Sequence, residues 1–294
     1  MQKYLFNNCA RVVPRAHLRA AFSIRCQTTT TSTTPTSTPP TAALMIIGNE
    51  VLSGSIADAN TPWLAKLLHS RGVDLIRVEV VPDKPTDIAA SVLKLRERVG
   101  PTGFVFTSGG IGPTHDDVTY DSIAMALGLK IELHQPTMEL MKEHYAARGV
   151  ELNESRLRMA HLPTPAEILT TPGLWVPLVV AGGNVYILPG IPRLFQSMIE
   201  AHVEKFRGPA SHSRELFANV GEGDVAAPLA EVAAQFPAVR IGSYPNVKFD
   251  MNDPEKNENL AWRVKFVVEG RDEEAVAAAA AAVLEAIPGT SKTI

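Results

Sequence analysis

Thr107-Ser-Gly-Gly-Ile-Gly-Pro-Thr-His-Asp-Asp117 follows the apolar run Phe104-Val105-Phe106 and precedes a helix-forming segment, Asp121 to Leu127, that stops at Gly128. A glycine-rich turn between a strand and a helix lets backbone N–H groups converge on an anion, and the helix N-terminus adds its positive end. Asp116 and Asp117 then stand where phosphate is expected to bind. Like charges a few Å apart repel, so a phosphate is tolerated there only with a cation between them. The loop points to metal-assisted phosphate chemistry. Gly109, Gly110 and Gly112 alone would be compatible with a sharp turn and nothing more. The extension through Pro113, Thr114, Asp116, Asp117 and Thr119, in a strand–loop–helix setting, marks a ligand loop.

The same alternation continues on both sides of the loop. Ala43 to Ile47 is an apolar strand ending in Gly48-Asn49-Glu50. Asn60 or Thr61 caps a helix carrying Pro62 in its first turn, then Trp63, Leu64, Leu67 and Leu68, and ending near Gly72. Val73 to Val81 is a second strand closing at Pro82-Asp83, and Thr86-Asp87 starts a helix through Ile88, Val92 and Leu95. This order predicts an α/β domain of three layers, a parallel sheet with helices on both faces. Ligands of such sheets bind beyond the carboxyl ends of the strands. Three consecutive strand ends deliver Gly48-Asn49-Glu50, Asp83 and Gly109 to Asp117, and Asp58 and Asn60 open the first crossover helix on that edge. Alone, Asp58 reads as a helix cap; with the other carboxylates it reads as part of a site.

Helices are predicted from about Gln135 to Arg148 and from Asn153 to Ala160. An extended stretch follows, with strands at Val176 to Val180 and Val185 to Leu188. The second strand ends in Leu188-Pro-Gly-Ile-Pro192, either a structural β–α turn or a pocket wall built on Pro189 and Gly190, before a helix to about Phe206. The domain is bounded at residues 42–207. Residues 208–294 form a small α+β module with strands at Leu216 to Val220, Val239 to Ser243 and Ala261 to Val268. Its helices are expected at Asp224 to Phe236 and Asp272 to Ile287, with an exposed hydrophilic loop at Met251 to Asn259.

Composition bounds the function. At 294 residues, 45% hydrophobic and 20% charged, the chain has ample length for a core. No apolar run approaches the ~20 residues of a membrane helix, and a formal charge of −3 leaves no nucleic-acid footprint. No Asp or Glu precedes Glu50, whereas Lys3, Arg11, Arg15, Arg19 and Arg25 are all basic. An acid-free, Arg-rich start without a continuous apolar region reads as an organelle transit peptide, for a mitochondrion first and a plastid second; a cytosolic tail is the alternative. Thr28 to Thr41, nearly all Thr, Ser and Pro, reads as a disordered linker, so residues 1–41 lie outside the folded body. Without residues 1–25, 23 basic groups face 31 acidic ones, an acidic body unsuited to nucleic acid. Cys9 and Cys26 are the only cysteines, so the body has no disulfide, cysteine zinc site or cysteine nucleophile. His115, the sole histidine inside a motif, reads as an exposed loop residue.

Gly48-Asn-Glu-Val-Leu-Ser-Gly54, Asp58-Ala-Asn60, Val81-Pro-Asp83, Gly109-Gly-Ile-Gly-Pro-Thr-His-Asp-Asp117 and Leu188-Pro-Gly190 together resemble the molybdopterin-binding (MoaB/Mog-like) domain, in the branch of the bacterial protein CinA. The resemblance extends over Ala42 to about Pro288. Gly-Pro-Thr-His-Asp-Asp-Val-Thr119 and Gly242-Ser-Tyr-Pro-Asn246 are similar to the N-terminal domain of eukaryotic FAD synthases. The resemblance implies either binding and adenylylation of molybdopterin, as in Mog-like proteins, or metal-dependent cleavage of the diphosphate of FAD or ADP-ribose, as in the CinA-like branch. It also implies that Asp83 and Asp117 are the acidic pair around phosphate and metal. By the same matching, Gly109, Gly110, Gly112 and Thr114 form the phosphate loop and Glu50 is the acid after the first strand. Asn49 departs from the pattern, since many relatives are acidic there; its part would pass to Asp58 and Asp116. The 294 residues contain neither the adenylyltransferase segment of FAD synthases nor the deamidase segment of CinA, so neither activity is expected of this chain alone.

The expected activity is that of a nucleotide pyrophosphatase releasing AMP from FAD, ADP-ribose or a similar dinucleotide. Gly48, Asn60, Gly109, Gly110, Gly112, Pro113, Thr114, Pro189 and Gly190 would contact the substrate. Glu50, Asp58 and Asp116 would hold one or two divalent cations, and Asp83 and Asp117 would do the catalytic work. Oxygen ligands select Mg²⁺ or Mn²⁺, with Co²⁺ also able to serve. The rival readings are molybdopterin binding or adenylylation, and a non-catalytic flavin or nucleotide binder, which Asn49 favours. No nucleic-acid or membrane partner is expected; a homo-oligomer is.

Overall fold

Seven residues without a single charge, Thr41–Ile47, form the central strand β1, buried from Ala42 onward. Strands covered on both faces read as continuous apolar runs, and this one does. The computed structural model describes residues 38–248 and 260–292, all within the second of two units into which the chain divides, Ser37–Ile294. The segment read as a transit peptide, most of the Thr/Ser/Pro stretch read as a linker and the expected loop Met251 to Asn259 lie outside the described residues.

After β1 come α1 (Asn49–Leu52), α2 (Asn60–Ser70), β2 (Asp74–Val81), α3 (Pro85–Val99), β3 (Phe104–Ser108), α4 (Thr119–Leu127) and β4 (Lys130–Leu133). Then follow α5 (Gln135–Ala146), α6 (Glu154–Leu157), β5 (His161–Thr164), β6 (Ala166–Leu169), β7 (Leu178–Ala181), β8 (Val185–Leu188) and α7 (Pro192–Ala201). The C-terminal part contributes β9 (His212–Ala218), α8 (Glu222–Gln235), β10 (Arg240–Pro245), β11 (Val264–Gly270) and α9 (Glu273–Ala286).

Six strands make the main sheet, in the order β2-β1-β3-β8-β7-β6. The first four run parallel, whereas β7 is antiparallel to β8 and β6 to β7. The expected parallel sheet is present, with two antiparallel strands added at one edge. The cause is local. Gly182-Gly183-Asn184, with φ of 56° and 82° at its two glycines, is a three-residue link, and a link that short joins only antiparallel neighbours. Helices α3 and α4 pack together, and α2 packs on α7, giving the two helical layers. Strands β4 and β5 form a separate antiparallel pair. One aromatic cluster fills the core beneath β3 and β8: Phe106 lies 5.0 Å from Phe206 and 5.4 Å from Tyr186 by ring centroids.

The C-terminal module is a three-stranded antiparallel sheet, β10-β11-β9, with α8 and α9 packed together and α9 against β9 and β11. It has its own core, including Leu216, Phe266, Val276 and Val283. Its strands sit a few residues from the expected bounds: β9 starts at His212 and β11 at Val264. Among the described residues no helix is long and apolar enough to cross a membrane.

Candidate functional site

The parallel strands β1, β3 and β8 end at the same edge, and their following loops surround a cleft of about 570 Å³. Ile46 and Ile47 close β1. Glu50 comes from α1, Asp58 and Asn60 from the start of α2, Ser108 from β3, and Pro189 and Gly190 from the loop after β8. The glycine loop, Gly109 to Pro113 with Asp117, forms another wall.

That loop cannot be built from other residues at two points. Gly109 has φ 116° and Gly110 φ 66°; a Cβ would strike the Ile47 carbonyl oxygen at the first and the Thr119 hydroxyl at the second. Thr119 then fixes both: its hydroxyl donates to the Gly109 oxygen at 2.9 Å and its amide to the Gly110 oxygen at 2.9 Å. The amides of Gly110, Ile111 and Gly112 have no acceptor among the described residues. Three successive free donors at a strand end are groups that an anion can satisfy. Further on, the Thr114 amide donates to Asp117 Oδ2 at 2.9 Å, and so does the Thr114 hydroxyl. Gly112 leaves room for that carboxylate, since a Cβ there would lie 2.7 Å from Asp117 Oδ2.

Asn60 unites the walls. Its Nδ2 donates to Ser108 Oγ at 2.9 Å and to the Gly190 carbonyl at 3.0 Å, binding the start of α2 to the ends of β3 and β8. Asp58, rather than Asn60 or Thr61, supplies the helix cap: its Oδ1 accepts from the Asn60 and Thr61 amides at 2.9 and 3.0 Å. It still borders the cleft.

Of the residues singled out from sequence, Glu50, Asp58, Asn60, Gly109, Gly110, Gly112, Pro113, Asp117, Pro189 and Gly190 line the cleft. Gly48, Asp83, Thr114 and Asp116 stand outside its walls. Gly48 makes room for Glu50, whose carboxylate a Cβ there would meet. Asp83 accepts from the Asn49 amide at 2.8 Å, holding the start of α1 and so the helix that carries Glu50. Its observed contact is a positioning one. Asp116 is solvent-facing beside His115. Asn49 is exposed at the first position of α1.

Among the described residues, no three His, Cys, Asp or Glu side chains gather into a group able to hold a metal ion unaided. The expected convergence of five carboxylates is thus reduced to Glu50, Asp58 and Asp117 around one cleft. Asp83 is absorbed by a helix end, and Asp116 is turned to solvent. The sequence reading missed Ser108, Tyr145, Met159 and Trp175 on the walls, and it missed Arg158. The Arg158 guanidinium donates to the Thr114 and Asp117 carbonyls, both at 3.0 Å, clamping the far half of the loop. Nothing local marks an arginine some forty residues downstream as its partner. Tyr120, behind the loop, has a buried hydroxyl without a partner among the described residues; burial pushes it up and keeps it protonated.

This fold and this loop define the class of protein. Residues 43–208 match the family described as a probable molybdopterin binding domain, and the chain belongs to that family. Residues 210–293 match the family described as the FAD synthase middle domain. A protein of Pyrobaculum calidifontis is 36% identical over 216 residues, 69% of this chain and 80% of its own length. A CinA-like protein of Myxococcus xanthus is 37% identical over 163 residues, which are 54% of this chain and 38% of that protein. Among solved structures, CinA of unknown function from Thermoplasma acidophilum is 28% identical, covers 57% of this chain and 98% of its own, and superposes with a TM-score of 0.51. The resemblance to MoaB/Mog-like, CinA-like and FAD synthase-like domains read from the motifs stands.

Proposed function

We propose that the protein binds a diphosphate-bearing nucleotide and cleaves its diphosphate, releasing AMP from FAD, ADP-ribose or a similar dinucleotide. One observation carries the reading: three unpaired amides, Gly110 to Gly112, share a cleft with the carboxylates of Glu50, Asp58 and Asp117. An anion enters such a place only with a cation. The donors are all carboxylate oxygens, which suit a hard divalent ion, and Mg²⁺ completes its shell with substrate oxygens around one or two protein carboxylates. Glu50 and Asp58 would hold it, with Asp117 beside them and free to act as base. When bound, the ion supplies charge neutralisation and makes water more acidic.

The chain's own groups do the rest. The loop amides would hold the diphosphate and donate to the charge that develops on its oxygens. Asp117 is fixed through Oδ2 by Thr114, while its Oδ1 accepts no hydrogen bond among the described residues. That oxygen takes the proton of the attacking water as the new P–O bond forms and the bridging P–O bond breaks toward the leaving phosphate.

The test is incubation of the protein with FAD and with ADP-ribose, adding Mg²⁺, Mn²⁺ or Co²⁺ in turn, while following AMP. AMP is expected only with metal. Asp117→Asn keeps an oxygen for Thr114 but loses the base, so turnover should fall at least ~100-fold with the fold intact. Unchanged turnover in that variant, or no AMP from folded protein with all three metals, overturns the reading. The family match favours a second reading, molybdopterin binding, in which the same amides take a phosphorylated pterin; tight binding without turnover would favour it.

A further inference from the structure

The proposed phosphate chemistry uses the glycine loop and the carboxylates of Glu50, Asp58 and Asp117, and leaves the rest of the cleft without a role. Another wall carries Tyr145 and Trp175, with ring centroids 6.1 Å apart and planes inclined by 49°. Neither ring is fully buried, yet both are held in place. Trp175 packs against the main core and, with Tyr145, against the separate Met138–Met141–Met159 cluster. The Arg156 guanidinium lies 5.4 Å over the Tyr145 ring, and the His144 ring stands 6.0 Å from Trp175. The mouth is also bordered by Ile56 and Ile191, 59% and 60% exposed. Aromatic and aliphatic surface gathered at a phosphate cradle marks a ligand-binding face. A small inorganic anion would leave all of it wet. Fixed aromatic faces take planar rings by offset stacking, and every heterocyclic base has such a face.

We propose that the Tyr145–Trp175 face is a ring-binding platform, which receives the planar nitrogen heterocycle of a ligand whose phosphate sits on the Gly110–Gly112 amides. The proposal rests on the phosphate-binding part of the reading above and is independent of hydrolysis. It gives the cleft two jobs on two walls: the loop recognises the charge, and the aromatic pair separates ring-bearing phosphates from plain sugar phosphates. Flavin, adenine and pterin share this chemistry.

The experiment is titration calorimetry of the full chain with flavin mononucleotide, AMP and ribose 5-phosphate, each with Mg²⁺ present. At least one ring-bearing probe should bind more tightly than ribose 5-phosphate, and the stronger of the two identifies the ring. Trp175→Leu should weaken that probe by roughly 5- to 100-fold and leave ribose 5-phosphate unchanged, while Trp175→Phe, which keeps a face, should retain most of the affinity. Equal binding of all three probes to the wild-type protein overturns the platform and leaves the phosphate cradle standing. An equal loss for all three in Trp175→Leu makes Trp175 a packing residue and also overturns it. No binding of any probe removes cradle and platform together. Should Trp175→Leu fail to fold, Tyr145→Leu carries the same comparison.

Discussion

Asn60 is the side chain on which the walls of the cleft depend. It is 4% exposed, and its amide makes two hydrogen bonds to segments 48 and 130 residues away. Removing it leaves the Gly190 carbonyl without its donor and opens a gap where three elements meet. Asn60→Ala should cost about 2–3 kcal/mol in chemical unfolding and should weaken ligand binding, because Pro189 and Gly190 would no longer be tied to the start of α2. Stability within about 0.5 kcal/mol of wild type would mean that the bonds contribute nothing net. The glycine loop itself was legible in the sequence because its chemistry is contiguous: Gly109, Gly110, Pro113 and Asp117 lie within nine positions. Asp83 could be read two ways, since a carboxylate after a strand is equally a ligand or a helix cap, and the contact it makes is with the Asn49 amide at 2.8 Å. Arg158 and Trp175 were illegible. They reach the site by topology, from segments with no periodic or compositional mark.

Strand β2 is an edge strand whose Ile76, Val78 and Val80 face solvent, so its attachment depends on its other contacts. Glu79 provides a polar one: it accepts from Ser91 Oγ at 2.6 Å and from Lys94 Nζ at 3.0 Å on α3, and from Arg77 Nε at 3.1 Å. Burial raises the Glu79 pKa, but these three donors outweigh it and hold the carboxyl below its ordinary 4.5. A group with a depressed folded-state pKa stabilises above its unfolded value and loses that contribution as pH falls through the folded one. Glu79→Gln should therefore cost on the order of 1 kcal/mol at pH 7, and the gap to wild type should close as pH falls below 4.5. A gap that is constant from pH 7 to pH 3 would show that the charge is irrelevant. The elements with full apolar runs, β1 and β8, could be read directly. The short strands β4 and β6 could not, because four residues of mixed character carry no period. The antiparallel course of β7 was written in Gly182-Gly183, a turn signal that βαβ reasoning passes over.

On the scale of the whole molecule, the C-terminal module meets the large domain at the opposite edge of the sheet from the cleft. The seam lies at the amino ends of β1 and β2, where Gly208 donates to the Arg71 carbonyl at 2.8 Å and Arg271 donates to the Pro209 carbonyl at 2.8 Å and pairs with Asp74. Gly72, with φ 74°, brings its backbone against Gly208 and Pro209, and a Cβ there would run into the Pro209 oxygen. Positive φ and collision act together, so Gly72→Ala should loosen the seam by more than about 2 kcal/mol. Arg271→Ala, which removes a half-buried ion pair and one hydrogen bond, should cost about 1–2 kcal/mol. Each half has its own apolar core, so a loosened seam should separate one calorimetric unfolding transition into two and speed proteolysis near residues 206–212. The cleft draws its walls from the carboxyl ends of β1, β3 and β8, the length of the strands away from the seam. Affinity of Gly72→Ala for the proposed nucleotide ligand, at a temperature where both halves remain folded, should therefore equal that of the wild-type protein. A loss of affinity under those conditions would mean that the module supports the site through the sheet, and that the two halves work as one.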